Sequence, residues 1–310
     1  MTRLLTAIDD AAFQRFPLEP FRIRHELAHD PRLTLPAILD LVRALPGDRI
    51  EYNSGKSSVS QDPDVTPLVD LPPDEVIRQI ETAGAWMVLK SVETHPAYMS
   101  LLRDALTSVS SAQGFASVED AGFFDLRGFL FVSSPHSITP FHLDSEANFF
   151  VQIHGEKYFN LYDNRDGSIA NEEQIEGTIA RHRNLKLDPA HEARGVRHHL
   201  DPGEGLFVPY QWPHWVQTVD TYSISLALTS KTRDVQRRND LVTMNALLRD
   251  RGFPQPAPGA SPMVDALKVA AFRAVKGAIA PLLRSERLRA VIRRLALGRG
   301  GNYFYRKGAP

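Results

Sequence analysis

Two imidazoles and one carboxylate are the residues of this chain best placed, by type and spacing, to do chemistry. His142 and Asp144 stand one residue apart in Thr139-Pro-Phe-His142-Leu-Asp144, and His214 follows about seventy residues later in Trp212-Pro-His-Trp215. Alternate residues of a strand share a face, so a strand here projects His142 and Asp144 together and turns Leu143 away. A His from a second strand then completes two imidazoles and a carboxylate. That is the facial set which holds non-haem iron(II) and leaves three positions open for a co-substrate and oxygen. A bare His-x-Asp pair is more often two surface residues, so the surroundings decide.

Three surrounding features matter. Ala147 to Leu161, ANFFVQIHGEKYFNL, is two apolar, aromatic-rich runs joined at His154-Gly155-Glu156. It reads as an antiparallel hairpin whose first strand runs straight on from His142 and Asp144. Lys157 opens the second run, and an ammonium turned inward there needs an anion, because burying it unpaired is costly. Asp201 to Val216, DPGEGLFVPYQWPHWV, leads from a Pro-Gly turn through an apolar strand to a proline-marked corner, which aims His214 from a rigid edge.

TPFHLD, NFFVQIHGEKYFNLYD and PGEGLFVPYQWPHWV together resemble the JmjC or cupin-like 2-oxoglutarate oxygenases, and in pattern their asparaginyl-hydroxylase branch. The motifs span roughly residues 126–230. The resemblance implies that His142, Asp144 and His214 ligate Fe(II). It implies that Lys157 pairs with the distal carboxylate of 2-oxoglutarate, that the Thr139 hydroxyl bonds to the same carboxylate, and that Asn148 lies beside metal and co-substrate. The implied activity is a dioxygenase, most simply a hydroxylase of a protein side chain or small molecule, consuming O2 and releasing succinate and CO2. Two departures stand out. Tyr222 to Thr229 offers Ala227 or a hydroxyl residue where that branch has an Asn, and the branch's upstream Tyr has no counterpart placed here. Two other readings stay open: a metal-dependent cupin enzyme that does not use 2-oxoglutarate, and a non-enzymatic cupin-like binding or regulatory protein. Lys157 and Thr139 speak against the first, and the complete triad against the second.

Behind the motifs, 310 residues with 43% hydrophobic content suffice for one large core with accessory elements. No run of eighteen apolar residues occurs, and MTRLLTAIDDAAF carries acids where a signal peptide needs an apolar stretch, so a cytoplasmic protein is expected. With no cysteine, disulfides and thiolate metal sites are excluded, and His and carboxylate remain as the strong ligands. The net charge of −1 conceals an asymmetry. Residues 266–310 hold eleven Lys or Arg against the single acid Glu286, which leaves about −11 on the rest. A homodimer, with this basic segment across the acidic body of a partner subunit, is favoured over nucleic acid or a membrane surface.

The elements that must position the motifs follow from local pattern. Residues 1–80 read as an N-terminal accessory region, with a helix over Leu33–Leu45 and a short strand at Arg49–Tyr52. The loop that follows has a Gly-Lys-Ser but lacks the first Gly of a phosphate-binding loop. Residues 81–232 read as the catalytic domain. In it, Ala85–Ser91 is taken as the first strand of the main sheet, Pro96–Ser108 as a helix burying Leu101, Leu102, Ala105 and Leu106, and Phe129–Ser133 as a strand running toward the metal motif. Short strands between Pro/Gly turns argue for an antiparallel sandwich or barrel, which the resemblance narrows to a double-stranded β-helix, or jelly roll. Asp163–His199 is a polar insertion without β-periodicity, either shaping substrate entry or simply solvated. A second metal site at His198-His199 is a weak reading, and His136 and His154 read as ordinary turn or strand-end groups. Residues 233–310 read as a basic helical region, with amphipathic stretches at Asp240–Arg249 and Met263–Ile279; the second is read as a subunit contact.

Overall fold

Short apolar runs separated by Pro and Gly pair antiparallel throughout the chain. In a computed structural model, which describes residues 3–7, 12–280, 288 and 291–292, they form β1 (Leu5–Ala7), β2 (Phe21–His25), β3 (Ile50–Ser54) and β4 (Ala85–Lys90). Then come β5 (Phe124–Ser133), β6 (Ile138–His142), β7 (Ala147–His154) and β8 (Lys157–Leu161). The last four are β9 (Val196–Leu200), β10 (Glu204–Val208), β11 (His214–Thr218) and β12 (Ser223–Lys231). Helices α1 (Leu35–Ala44), α2 (Pro73–Arg78) and α3 (Pro96–Ala112) precede β5. Helix α4 (Glu172–Arg181) interrupts the strands, and α5 (Arg233–Arg249) and α6 (Pro262–Ile279) follow them. None of the described helices is long and apolar enough to cross a membrane.

The strands make two antiparallel sheets, one in the order β1-β2-β10-β7-β12-β5-β4-β3 and one in the order β6-β11-β8-β9. Facing each other, they form the jelly-roll core. Strand parity divides the large sheet's residues between two environments. Ala85, Met87, Leu89, Leu130, Val132, Phe149, Val151, Leu226 and Leu228 face out into the largest apolar cluster, alongside Leu101, Leu102, Ala105 and Leu106 of α3. Phe150, Phe159, Leu161, Leu206, Val216 and Ala227 meet between the sheets. On the far side of the small sheet, Phe141, Leu143 and Tyr162 pack with Ile175 of α4 and Val242 of α5.

Several expectations change. Residues 147–161 are not a hairpin: β7 bonds β10 and β12 in the large sheet, whereas β8 bonds β11 and β9 in the small one. The chain crosses between sheets at Gly155, whose φ of +66° and closeness to the Tyr222 carbonyl leave no room for a Cβ. Nor does β7 continue β6, because residues 143–146 break between the sheets. Strand β4 is not the first of the main sheet. Strands β1, β2 and β3 join it earlier in the chain, so the expected boundary at residue 80 runs through one continuous sheet. The 163–199 segment holds α4, opened by a capping box on Asn171 and Gln174, and ends in β9 paired to β8.

Candidate metal centre

His142 closes β6 and His214 opens β11, and the two residues are paired across these neighbouring strands. Asp144 lies two residues beyond β6, still on the His142 side, while Phe141 and Leu143 turn into the outer cluster. The distances are 3.8 Å from His142 Nε2 to Asp144 Oδ1 and 3.9 Å from His214 Nε2 to Asp144 Oδ2. Each ring is held by a backbone carbonyl: His142 Nδ1 donates to Pro140 O over 2.7 Å, and His214 Nδ1 to Trp212 O over 2.9 Å. A carbonyl can only accept, so each Nδ1 carries a hydrogen, and each Nε2 is the ring nitrogen left facing the Asp144 carboxylate. Burial, with His142 alongside, pushes the pKa of His214 well below its ordinary value and keeps that ring neutral. Asn148 Nδ2 donates to Asp144 Oδ2 over 3.3 Å, fixing the carboxylate from behind, while Asn148 Oδ1 is buried without a hydrogen-bond partner. Two imidazole Nε2 atoms and a carboxylate within 4.8 Å of one another fit a metal site.

The triad opens into a chamber of about 110 Å³ shared with Thr139, Asn148, Lys157 and the rings of Phe129, Phe131, Phe150 and Phe159. Thr139 and His142 are three apart and would face opposite ways in a regular strand. A register shift places Val216 opposite Thr139 and His214 opposite His142, so an extra residue at Pro140-Phe141 turns both side chains into the chamber. Lys157 is buried, and its Nζ donates to Ser225 Oγ over 2.6 Å, between the rings of Phe131 and Phe150. Desolvation pulls its pKa down to about 7. All six site residues expected from sequence therefore line one chamber, with Ala227 and Thr229 in its wall.

A wider vestibule of about 590 Å³ adjoins the chamber, with Thr139, His142, Asp144 and Glu146 common to both. Glu51, Trp86, Val88 and Lys90 of β3 and β4 line its floor. His182, Arg183 and Asn184, just after α4, form part of its wall. Its charges are paired: Lys90 with Glu51 at 2.5 Å, Arg183 with Asp64 at 2.8 Å, and Lys231 with Asp125 at 2.8 Å and Glu146 at 3.3 Å. Burial works to raise the Asp125 carboxyl, but Lys231 and Arg127 hold it below its ordinary value.

Trp86 and Ser225 were not singled out by sequence. Both lie in recognisable strand segments, but which face of each strand looks inward depends on the sheet order. The weaker candidates resolve as structural groups. Gly55 O accepts from Ile138 N, so the Gly-Lys-Ser loop covers the edge of β6. His154 stacks on Tyr222, and His136 occupies a positive-φ turn. His198 and His199 do not share a site. His199 sits near Glu156 and Asp201 at the surface, and His198 Nε2 is buried without a partner.

A jelly roll with two histidines and an aspartate converging where its sheets open defines a cupin-type protein whose centre fits a metal ion. The sequence profile of the cupin-like domain matches residues 47–228, and the chain belongs to that family. A zebrafish (Danio rerio) relative, HSPB1-associated protein 1 homolog, is 34% identical over 107 residues, which is 31% of this chain and 24% of that protein. The chain thus matches about a quarter of the length of that relative. Among solved structures, Escherichia coli ribosomal oxygenase YcfD is similar at 14% identity and a TM-score of 0.48, over 93% of this chain and 70% of that one. A second structure of E. coli YcfD gives 11% identity and a TM-score of 0.44 over 92% and 70%.

Proposed function

We propose that this chain is an Fe(II)- and 2-oxoglutarate-dependent dioxygenase, a hydroxylase of a protein side chain or small molecule. The observation that supports this reading is one chamber that holds a triad fit for a metal ion and a buried ammonium with no carboxylate partner among the described residues. His214 faces Leu161 at one end of β8 and Lys157 begins the other, so the two groups bracket the strand's length of roughly 13 Å. A small diacid with a keto-acid head satisfies both ends. Bound iron and 2-oxoglutarate would supply the oxidation, in which decarboxylation to succinate and CO2 accompanies insertion of one oxygen atom of O2 into a C–H bond.

The chain's own residues bind, orient and exclude water. Lys157 and Thr139 hold the far carboxylate, a charge-assisted contact worth about 1.5–3 kcal/mol. Asn148 keeps the Asp144 carboxylate turned to the metal. Phe129, Phe131, Phe150 and Phe159 keep the chamber dry, and the vestibule presents the substrate beside His142 and Asp144. The test is succinate formation by the full chain with Fe(II), ascorbate and 2-oxoglutarate. Turnover that disappears in Asp144→Ala is expected, and no metal-dependent conversion of 2-oxoglutarate overturns the reading in favour of a binding protein or another cupin chemistry.

We infer in addition that the chain forms a homodimer through α6. Asp265 is buried and accepts from Gly259 N, Lys268 donates to Asn245 and the half-exposed Arg273 to Asp240, while Met263, Val264, Leu267 and Val275 stand exposed. An outward apolar stripe of this kind marks a contact surface. The basic stretch expected over Arg284–Arg299 lies largely outside the described residues, as does Tyr303–Lys307.

A further inference from the structure

We propose that Asn239 of α5 is a positioning residue for the metal centre: its amide ties the loop behind Asp144 to the corner before His214 and so sets the spacing of these two ligands. The inference rests on the reading of His142, Asp144 and His214 as metal ligands and names what holds two of them in place.

Strand pairing fixes His142 against His214, but Asp144 lacks that support, because residues 143–146 lie outside the strands. Residues 209–213, the corner that delivers His214, lie outside them too. In that corner Gln211 has a φ of +63°, a left-handed conformation costly for any residue but glycine, so the turn has to be held from elsewhere. Both irregular stretches converge on Asn239, which is buried. Its Nδ2 donates over 2.7 Å to the carbonyl of Ser145, the residue after Asp144. Its Oδ1 accepts from the Tyr210 hydroxyl over 2.8 Å. A carbonyl can only accept, which orients the amide and leaves Oδ1 for the phenol. Burial pushes the Tyr210 pKa well above its ordinary value, so the phenol keeps the hydrogen it gives to Asn239. Gln211 Nε2 donates to the same phenol oxygen over 2.8 Å, which draws the left-handed residue's own side chain into the network. Past the corner, Trp212 O holds the His214 ring. One amide therefore grips the chain one residue from Asp144 and four residues from His214. Neither Asn239 nor Tyr210 lines the chamber or the vestibule, so the pair acts on the ligands from behind. Apolar side chains could fill this space, whereas a satisfied buried polar network fixes one geometry.

The test is titration of the full chain with Co(II), whose visible absorption follows its coordination geometry, at a temperature where circular dichroism shows each variant folded. Tyr210→Phe deletes one oxygen and should weaken Co(II) binding about fivefold, the worth of one neutral hydrogen bond. Asn239→Leu removes both contacts and should weaken it about 10–100-fold. Both variants should shift the absorption of the Co(II)-saturated protein. Asn245→Leu deletes another buried amide of α5, one bonded to Lys268 of α6, and should keep wild-type affinity and spectrum. A purely structural role for Asn239 and Tyr210 would lower melting temperatures and leave the Co(II) affinity of the folded protein alone. Wild-type affinity or an unshifted spectrum in either folded variant, or an equal loss in Asn245→Leu, overturns the clamp while the metal reading stands. Tyr210→Phe decides the matter by itself if Asn239→Leu does not fold. Wild type that binds Co(II) no better than Asp144→Ala overturns the metal reading itself, and the clamp with it.

Discussion

Lys157 places its ammonium 2.6 Å from the Ser225 hydroxyl, and no acid pairs with it among the described residues. A charge held this way costs stability until an anion arrives, which couples the function of the chamber to its pH behaviour. In the folded chain Lys157 titrates near 7, against 10.5 for the ordinary side chain. Between those values the unfolded chain holds a proton that the folded chain lacks. Stability from this group therefore rises with pH across that window, by up to about 1.4 kcal/mol per unit, and the full penalty remains below pH 7.

Lys157→Met should consequently melt above wild type in the absence of ligand. The gap should be widest at pH 6 and shrink as the pH approaches 10. The same variant should lose 2-oxoglutarate binding while keeping metal. Scanning calorimetry across pH checks the first point and calorimetric titration the second. A variant that melts below wild type at pH 6 would show that the ammonium is already compensated.

His142→Ala and Asp144→Ala should abolish metal binding with little loss of fold, because both side chains face the chamber and neither supports the apolar clusters. Asn148→Ala acts through Asp144 and should weaken metal affinity by about 10–100-fold without eliminating it. Metal content by mass spectrometry after dialysis, beside circular dichroism, separates the two classes.

Gly155→Ala should destabilise by about 2–3 kcal/mol, since a left-handed residue would also push a Cβ against the Tyr222 carbonyl at the crossing between sheets. The loss should appear as a lower denaturation midpoint with an unchanged slope. A midpoint equal to wild type would mean that the crossing can relax.

Sedimentation velocity should show a dimer for the full chain at micromolar concentration. Met263→Glu with Leu267→Glu should convert it to a monomer of unchanged melting behaviour, because both side chains lie on the exposed face of α6. A monomeric wild type overturns the interface.

Much of this arrangement was legible in the residues. The triad could be read because a period of two puts His142 and Asp144 on one side of any extended segment. The buried face of α3 could be read because Leu101, Leu102, Ala105 and Leu106 repeat at helical spacing, and all four are fully buried. These are local regularities, fixed by the backbone geometry of one element. Tertiary structure decided whatever depends on which element lies opposite. Two apolar runs joined by a Gly fit a hairpin and a crossing between sheets equally well, and only the partners of β7 and β8 distinguish them. The shift that brings Thr139 to the His142 side exists only in the pairing of β6 with β11. The hydrogen bond from Trp86 of the large sheet to Thr139 of the small one belongs to no single segment. On α6, a mixed helix would ordinarily bury its apolar side. Here the inward side carries Asp265 and Lys268 beside Val269, and α5 offers Asp240 and Asn245 to Arg273 and Lys268 from more than twenty residues away in sequence.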